Sequence, residues 1–324
     1  MFSTTLLELD PVAETDRIVA GIRHQVFATL RKRGAVMGLS GGVDSSVVAA
    51  LCVRALGRDK LLALMMPEHD SADESLTLGR KVAESLGAAA IVEDIGPILE
   101  SAGCYRRQQE AIQHVVPEYG PGWKCKLVLP SILEGERLNV TRLTVEDPGG
   151  QSKTVRLTAQ AYLGLVAATN FKQRVRKMTE YYHADRLNYA VAGTPNRLEY
   201  DQGFFVKQGD GAADFKPIAH LYKTQVYQLA RFLGVPEEVT SRPPTTDTYS
   251  LPQTQEEFYF ALPYARMDLC LYAHNHNVPA ETVSSAVGLT AEQVQRVFND
   301  IEAKRRATRY LHSSAQLIEP VAEV

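Results

Sequence analysis

The sequence predicts an α/β fold, with a doubly wound, mostly parallel sheet that carries helices on both faces and one inserted β-hairpin. Short apolar segments alternate along the chain with segments of helical length, and strands joined through helices pair in parallel by right-handed crossovers. A glycine-rich turn joins the first strand to the next helix. A Thr/Val-rich stretch with a Pro-Gly-Gly turn interrupts the alternation.

The N-terminal part of the chain is predicted to alternate helix and strand three times. The first helix has apolar residues at helical spacing and ends near Arg33. After it come a strand at 34–37 (GAVM), a helix from Val47 (VVAALCVRAL), a strand from Leu61 (LLALMMP), a helix at about 74–86 and a strand from Ala88 (AAAIVED). Ligands bind such sheets at the carboxyl ends of the strands, which is where the glycine-rich turn is expected.

An insert is predicted at about 115–160, where the alternation breaks. Two Thr/Val-rich segments in LNVTRLTVEDPGGQSKTVRLT flank a turn, with Pro148 and Gly149 suited to its central positions. We interpret this hairpin either as a flap or arm near the site or as a surface decoration without a chemical role.

The remainder of the chain returns to alternating elements. A helix is predicted at about 161–182, followed by the strand NYAVAGT, a tight loop around GDGAAD and the helix KTQVYQLARFL. A helical C-terminal segment is expected at about 255–312. The whole chain, residues 1–324, is expected to form a single domain.

Composition excludes several classes of protein. The chain has 324 residues, of which 45% are hydrophobic, enough to bury a full core. The net charge of -3 gives no basic bias toward nucleic acid. Four cysteines lie far apart without a CxxC pair, and no run of about 18 apolar residues could span a membrane. We therefore expect a cytoplasmic protein that binds neither nucleic acid nor a membrane.

The segment GLSGGVDSS, residues 38–46, has the composition of an anion-binding turn at the start of a helix. Glycines allow the backbone to approach a ligand closely, and the free N–H groups of a first helical turn attract anions. The lysine of a GxxxxGK[ST] loop is missing. The carboxylate of Asp44 would repel a phosphate, so a cation would be needed between the two groups. Mg²⁺ binds carboxylates together with phosphate oxygens. The alternative is an ordinary glycine turn capped by serines.

A second polar segment follows the strand NYAVAGT. Thr194 and Glu199 come after this strand, so a hydroxyl and a carboxylate are expected beside the glycine-rich turn. Two carboxylates from different strand ends, Asp44 and Glu199, can share a cation that neutralises a leaving group. Lys223 would add a positive charge, although it begins a helix, where the dipole disfavours cations. The alternatives are an ordinary first-turn glutamate and a solvated lysine.

Five motifs occur in one order along the chain: SGGVDSS, NFKQRVR, GTPNRLE, FFVKQGDGAADFKPIAHLYK and PPTTD. Together they resemble the ammonia-dependent NAD synthetases, which belong to the N-type ATP pyrophosphatases of the adenine nucleotide alpha hydrolase-like superfamily and have a Rossmann-like fold. The resemblance covers most of the chain outside the hairpin. One motif alone would indicate only the superfamily, whereas five in order indicate the synthetase branch.

The resemblance implies a ligase of NAD biosynthesis. ATP would activate the nicotinate carboxylate of deamido-NAD as an acyl adenylate with release of pyrophosphate, and ammonia would then displace AMP to give the amide. No nucleophilic side chain is required, so catalysis would consist of positioning and charge stabilisation. Family members that lack a glutaminase domain use free ammonia, and they are homodimers with the acceptor site at the interface. Both properties are implied for this chain, which is expected to lack a glutaminase domain.

The resemblance also implies roles for residues at matched positions. ATP would be bound by the glycine-rich turn and three later residues: Gly38, Leu39, Ser40, Gly41, Gly42, Val43, Asp44, Ser45, Thr194, Lys223 and Thr245. The Mg²⁺ ligands would be Asp44 and Glu199, and deamido-NAD would contact Arg174, Lys207, Asp214 and Lys304. The catalytic residues would be Asp44, Lys223 and Asp214, with Asp214 orienting or deprotonating the incoming ammonium.

The chain departs from the family pattern in two places besides the hairpin. It reads LPQTQEEFYFALPY where the family has a PxxDE-like element, and it has Ala303 and Lys304 where the family commonly has a His-Lys pair. These departures concern the acceptor more than ATP. The alternatives are therefore an amide ligase that acts on another carboxylate, and a nucleotide-binding protein without catalysis. The latter would have little need for both Asp44 and Glu199.

Overall fold

A computed structural model describes residues 2–129, 141–245 and 248–321. In chain order its strands are β1 (Ala35–Gly38), β2 (Leu61–Met65), β3 (Ala89–Val92), β4 (Lys124–Val128), β5 (Arg142–Glu146), β6 (Ser152–Arg156) and β7 (Ala190–Val191). Its α-helices are α1 (Pro11–Arg23), α2 (Val43–Leu56), α3 (Asp73–Leu86), α4 (Gly96–Ser101), α5 (Cys104–Gln113), α6 (Ala159–Leu187), α7 (Arg197–Gln202), α8 (Lys223–Phe232), α9 (Glu237–Thr240), α10 (Tyr264–Asn275), α11 (Ala280–Val287) and α12 (Ala291–Thr308).

The central sheet has the strand order β3-β2-β1-β7, and each neighbouring pair is parallel. Its side chains alternate between two hydrophobic cores, as the pleat of a strand requires. Met37 and Ala63 pack with α1, α2, α3 and α8 on one face. Val36 and Leu62 pack with α4 and α6 on the other face. Because helices cover both faces, the prediction of a doubly wound parallel sheet is confirmed.

Two helix bounds near the glycine-rich turn differ from those that the sequence predicts. α1 ends at Arg23 and continues as a π-helical turn, His24–Thr29, rather than as a regular helix to near Arg33. α2 begins at Val43 rather than at Val47, and the backbone N–H of Ser46 already donates to the carbonyl of Gly42 at 3.1 Å. Asp44 and its neighbouring serines therefore belong to the first turn of α2.

The insert contains an antiparallel sheet with the strand order β4-β5-β6. The predicted hairpin is confirmed as β5 and β6, and Pro148 and Gly149 occupy the centre of its turn, which the N–H of Gly150 closes onto the carbonyl of Asp147 at 2.9 Å. Strand β4 was not predicted, because five residues of alternating burial give a weak pattern. Residues 130–140 of the predicted insert lie outside the described residues.

The C-terminal helices form a hydrophobic core of their own. Met267, Val283 and Val297, from α10, α11 and α12, are buried together with Leu198 of α7. The predicted helical segment begins with a π-helical turn at Glu256–Phe260 and ends with a 3₁₀ turn at Arg309–His312. Among the described residues, no helix combines the length and the apolar character that crossing a membrane requires.

Candidate active site

A cavity of about 590 Å³ opens at the carboxyl ends of β1, β2 and β7. This is the edge of a doubly wound sheet at which ligands bind. Its lining includes each residue that was matched to ATP or Mg²⁺: Gly38, Leu39, Ser40, Gly41, Gly42, Val43, Asp44, Ser45, Thr194, Glu199, Lys223 and Thr245. Thr246 and Asp247 of the motif PPTTD lie outside the described residues. The structure therefore brings together segments that are far apart in the sequence.

The glycine-rich turn presents backbone donors to this cavity. Gly41 has a φ of 76°, and a Cβ atom there would lie 2.6 Å from the carbonyl oxygen of Ser75, so only glycine fits without strain. Gly42 is the N-cap of α2, and no side chain of the described residues caps this end of the helix. The N–H groups of the first turn are thus open to an anion.

Two serines fix the shape of the turn. The hydroxyl of Ser45 donates to the carbonyl of Gly42 at 3.0 Å and lies 3.2 Å from that of Ser40, and the hydroxyl of Ser46 donates to the same carbonyl at 2.8 Å. Ser45 and Ser46 are both buried. The N–H of Gly42 also donates to the hydroxyl of Ser40 at 3.3 Å, so the N–H groups that stay open to a ligand are those of the first turn of α2.

Asp44 and Lys223 form an ion pair in the wall of the cavity. The other carboxylate oxygen of Asp44 accepts from the amide of Asn196 at 3.0 Å. Lys223 is only 2% exposed. Burial opposes its charged form, but the carboxylates of Asp44 and Glu199 outweigh burial and raise the pKa of Lys223 above its usual value. Lys223 is therefore a buried ammonium group, not the solvated lysine that the sequence left open.

A buried aspartate offsets the unfavourable interaction between the charge of Lys223 and the dipole of α8, the helix that Lys223 begins. Asp268 accepts from the backbone N–H of Lys223 at 3.2 Å and from that of Thr224 at 2.7 Å. Its carboxylate thus caps α8 and offsets the positive end of the helix dipole. Asp268 lies on α10 and is 0% exposed, and no local sequence pattern connects it with Lys223.

Glu199 serves both as a helix cap and as a wall of the cavity. One oxygen accepts from the backbone N–H of Asn196 at 3.0 Å, and the other accepts from the side chain of Gln255 at 3.1 Å. Burial, together with the charge of Asp44, raises the pKa of Glu199 to about 8. Glu199 is therefore both the first-turn glutamate of α7 and a residue of the cavity wall. Sequence reasoning did not identify Asn196 or Gln255, whose partners are distant in the chain.

Asp44 and Glu199 both line the cavity, and their carboxylates are the candidate ligands of a divalent cation. They interact strongly enough for the charge of Asp44 to raise the pKa of Glu199, and a cation between them would relieve this repulsion. The described residues contain no group of three or more His, Cys, Asp or Glu suited to a metal. Two carboxylates leave coordination positions for phosphate oxygens, which is the donor set that Mg²⁺ favours.

A second group of charged residues, buried or half-buried, lines the cavity and was not predicted. Lys177 and Glu180 of α6 form an ion pair of 2.6 Å, and Asp210 accepts from the backbone N–H of Val206 at 2.7 Å. Burial raises the pKa of both Glu180 and Asp210. One oxygen of Glu180 lies 3.1 Å from the position of a Cβ on Gly38, so this group adjoins the glycine-rich turn.

The four residues that were matched to deamido-NAD, all among the described residues, lie outside the lining of this cavity. Arg174 is exposed on α6, and its Nε donates to the carbonyl of Lys207 at 3.2 Å. The ammonium of Lys207 donates to the carbonyls of Tyr310 and Ser313, each at 2.7 Å. The structure thus places these two residues beside each other and beside the C-terminal segment.

Asp214 and Lys304 are held by other parts of the protein. Asp214 accepts from the backbone N–H of Val191 at 2.7 Å and from the hydroxyl of Tyr181 at 3.2 Å. Lys304 donates to the carbonyl of Tyr259 at 2.7 Å and pairs with Asp300. Asp214 therefore fixes the end of β7, and Lys304 fixes the segment before α10.

Comparison with known proteins identifies the family of the chain. The family model described as NAD synthase matches residues 14–117 and 137–309. The NH(3)-dependent NAD(+) synthetase of Mesorhizobium japonicum is 65% identical over 318 residues, 98% of this chain and 100% of that protein. That of Rhizobium meliloti is 61% identical, over 100% of this chain and 97% of that protein.

A solved structure has the same fold at low sequence identity. The NMN synthetase from Francisella tularensis superposes with a TM-score of 0.65 at 21% identity and covers 96% of this chain and 99% of its own. The structural neighbour supports the fold alone, whereas the family model and the close relatives extend over nearly the whole chain. The chain therefore belongs to the NAD synthase family.

Proposed function

We propose that the protein is an ammonia-dependent NAD synthetase, a ligase that forms a C–N bond. The main observation in support is that the glycine-rich turn, Lys223 and the carboxylates of Asp44 and Glu199 line one cavity. The ammonia-dependent synthetases of Mesorhizobium and Rhizobium, which align with this chain over its length, support the same activity.

The reaction consists of two displacements. An oxygen of the nicotinate carboxylate of deamido-NAD attacks the α-phosphorus of ATP, the bond to the β-phosphate oxygen breaks, and pyrophosphate leaves. Ammonia then attacks the acyl carbon and loses a proton, and the bond to AMP breaks to give the amide. Neither step needs a protein nucleophile, so the protein contributes positioning and stabilisation of charge.

The turn at the N-terminus of α2 is suited to hold the departing pyrophosphate. Its open N–H groups and the dipole of α2 favour negative charge, and Lys223 adds a fixed positive charge beside them. Asp44 and Glu199 would hold Mg²⁺, which when bound neutralises phosphate charge. Asn196 and Gln255 keep the two carboxylates in place through the hydrogen bonds described above. Thr194 and Thr245, which also line the cavity, would contact ATP.

The acceptor site is proposed to lie at the interface of a homodimer. The exposed face of α6 carries an apolar stripe formed by Leu163, Met178 and Tyr182, whose exposed fractions are 64%, 58% and 64%. Arg174 lies on the same face. A second subunit that covers the stripe would also cover Arg174, which would explain why the deamido-NAD residues lie outside the ATP cavity. The catalytic role of Asp214 and the contact of Lys304 stay predictions.

We further propose that free ammonia is the nitrogen donor and that the enzyme works as a single domain in the cytoplasm. The Mesorhizobium relative is matched over its entire length and carries the ammonia-dependent name. The four cysteines, which all lie within the described residues, are unpaired and buried, as expected of a reducing compartment.

The proposal is tested by the release of pyrophosphate from ATP with Mg²⁺ and ammonium. Deamido-NAD should be required, and the pyrophosphate should equal the NAD formed. Asp44→Ala should abolish both. Nicotinic acid mononucleotide serves as a competing carboxylate. Preferential turnover of this shorter acceptor, or pyrophosphate release without any acceptor, would overturn the assignment.

A further inference from the structure

Strand β4 lies at the edge of its sheet, and residues 249–257, here called the anchored segment, cover the edge that does not pair with β5. The other edge of β4 pairs with β5. On its free edge, the N–H of Leu251 donates to the carbonyl of Cys125 at 3.1 Å, and the N–H of Leu129 donates to the carbonyl of Glu257 at 3.1 Å. The anchored segment therefore satisfies backbone groups that an edge strand would otherwise expose.

Side chains reinforce this contact along the whole strand. The hydroxyl of Ser250 accepts from the N–H of Cys125 at 2.9 Å, and the side chain of Gln253 donates to the carbonyl of Leu127. Gln253 is 2% exposed. Lys126 donates to the carbonyl of Pro252 and pairs with Glu257, each at 3.3 Å. The bond of Gln253 is buried, so breaking it is costly, whereas the bonds of Ser250 and Lys126 are half-buried or exposed and contribute less.

The anchored segment also bonds to Pro244 and Thr245, which line the cavity. Thr254 forms an antiparallel bridge with Thr245, and the N–H of Gln255 donates to the carbonyl of Pro244 at 3.0 Å. The side chain of Gln255 holds Glu199. A continuous set of hydrogen bonds thus runs from β4 to two residues of the site.

The family model leaves this strand unmatched. It covers residues 14–117 and 137–309, whereas β4 spans Lys124–Val128. The contact is therefore an addition to the part of the chain that the family model describes.

We propose that β4 positions the anchored segment so that Thr245 and Gln255 are in place before ATP binds. Ser250 and Gln253 are positioning residues in this arrangement, since they act through the segment. A segment that is ordered in advance does not have to lose its conformational freedom on binding, so ATP binds more tightly. The inference rests on the proposed function only in naming ATP as the nucleotide.

The test compares the double variant Ser250→Ala/Gln253→Ala with Thr144→Ala/Thr154→Ala. The control removes a hydroxyl pair, 2.9 Å apart, between β5 and β6 of the same sheet. Amide hydrogen exchange is measured by mass spectrometry over residues 248–257 without nucleotide. Exchange should rise about tenfold in the first variant and stay unchanged in the control, because local opening follows the loss of anchoring bonds.

ATP affinity supplies the second readout, measured by calorimetry with Mg²⁺ and without deamido-NAD. The dissociation constant should rise about tenfold in Ser250→Ala/Gln253→Ala, the effect of about one lost hydrogen bond. Saturating ATP should restore protection of the segment, and Ser250→Thr, which keeps the hydroxyl, should behave as the wild type. If the double variant does not fold, Lys126→Ala takes its place with the same expected direction.

Unchanged exchange, or increased exchange with unchanged ATP affinity, would overturn the inference. Neither readout requires turnover, so the result does not depend on whether the wild type makes NAD. Failure of the proposed function would appear separately, as ATP binding without amidation of deamido-NAD.

Discussion

Lys223 has the most constrained surroundings of the residues that the sequence singled out. It pairs with Asp44 in a wall of the cavity, and its backbone is capped by Asp268. A buried charge is stable only when its partners are present, since solvation by water is lost. Removal of either partner is therefore expected to destabilise the fold as well as to disturb the proposed site.

Lys223→Met should destabilise the protein and abolish most of its activity. Removal of the ammonium leaves Asp44 and Glu199 without their compensating charge, which costs about 3–5 kcal/mol of the free energy of unfolding. kcat/KM should fall by about 10²–10³, as when one charge-stabilising donor is removed. Urea unfolding and pyrophosphate release measure the two effects.

A surface pair is the matched control for this substitution. Lys81 pairs with Glu238, and their side chains are 50% and 57% exposed, so Lys81→Met should leave both stability and activity unchanged. The double variant Asp44→Asn/Lys223→Met should regain part of the stability but none of the activity. If Lys223→Met were as stable as the wild type, Asp44 and Glu199 would not need the charge of Lys223, which would contradict this prediction.

Gly41→Ala should weaken ATP binding and lower stability. The positive φ of Gly41 and the short distance to the carbonyl oxygen of Ser75 force the turn to move, at a cost of about 1–3 kcal/mol. Gly21→Ala is the control, because Gly21 lies in α1 with nothing near its Cβ position and alanine there should stabilise by about 1 kcal/mol. Calorimetric titration measures the affinity for ATP, and urea unfolding measures the stability. Tight ATP binding by Gly41→Ala would disprove the role of the turn.

At the scale of single elements, α6 connects the ATP cavity with the proposed subunit interface. Lys177 and Glu180 face the cavity, whereas Met178 lies on the exposed apolar stripe. Neighbouring positions of one helix point in different directions because each residue turns by about 100°. The helix can therefore position groups for ATP on one side and bind a partner on the other.

Met178→Glu should dissociate the dimer, because it places a carboxylate on the apolar stripe that the proposed interface buries. The KM for deamido-NAD should rise by at least about tenfold, since desolvating a charge in an apolar interface costs more than 1.4 kcal/mol, and ATP binding should change little. Analytical ultracentrifugation and steady-state kinetics provide the measurements. Val12→Glu is the control at another exposed apolar site, with 53% exposure on α1. A Met178→Glu protein that sediments as a dimer would exclude the stripe as the interface.

For the whole molecule, the sequence was sufficient to predict the parallel sheet and the meeting of the glycine-rich turn with residues that follow β7 in one cavity. Alternating apolar segments predict β1, β2 and β3, and the polar residues that follow β1 and β7 meet because parallel strands end at one edge. The turn of Pro148 and Gly149 likewise predicts β5 and β6.

Contacts that join distant segments could not be predicted in this way. The contacts of Asn196 with Asp44 and of Gln255 with Glu199 arise only through the fold, although Asn196 and Glu199 also form a local capping box at the start of α7. Strand β4 is short, and its contact with the anchored segment joins residues far apart in the chain, as in the separation of 126 between Gln253 and Leu127. The acceptor residues depend on a second subunit in our proposal, which a single sequence does not display.

In the proposed reaction, the nicotinate carboxylate itself attacks the α-phosphorus of ATP in this cavity. The measurement uses deamido-NAD with ¹⁸O in its carboxylate, together with ATP, Mg²⁺ and ammonium, and determines the mass of the AMP formed. Adenylation transfers one labelled oxygen to the phosphate of AMP and leaves the other in the amide of NAD. Unlabelled AMP, or ADP in place of AMP, would contradict the account.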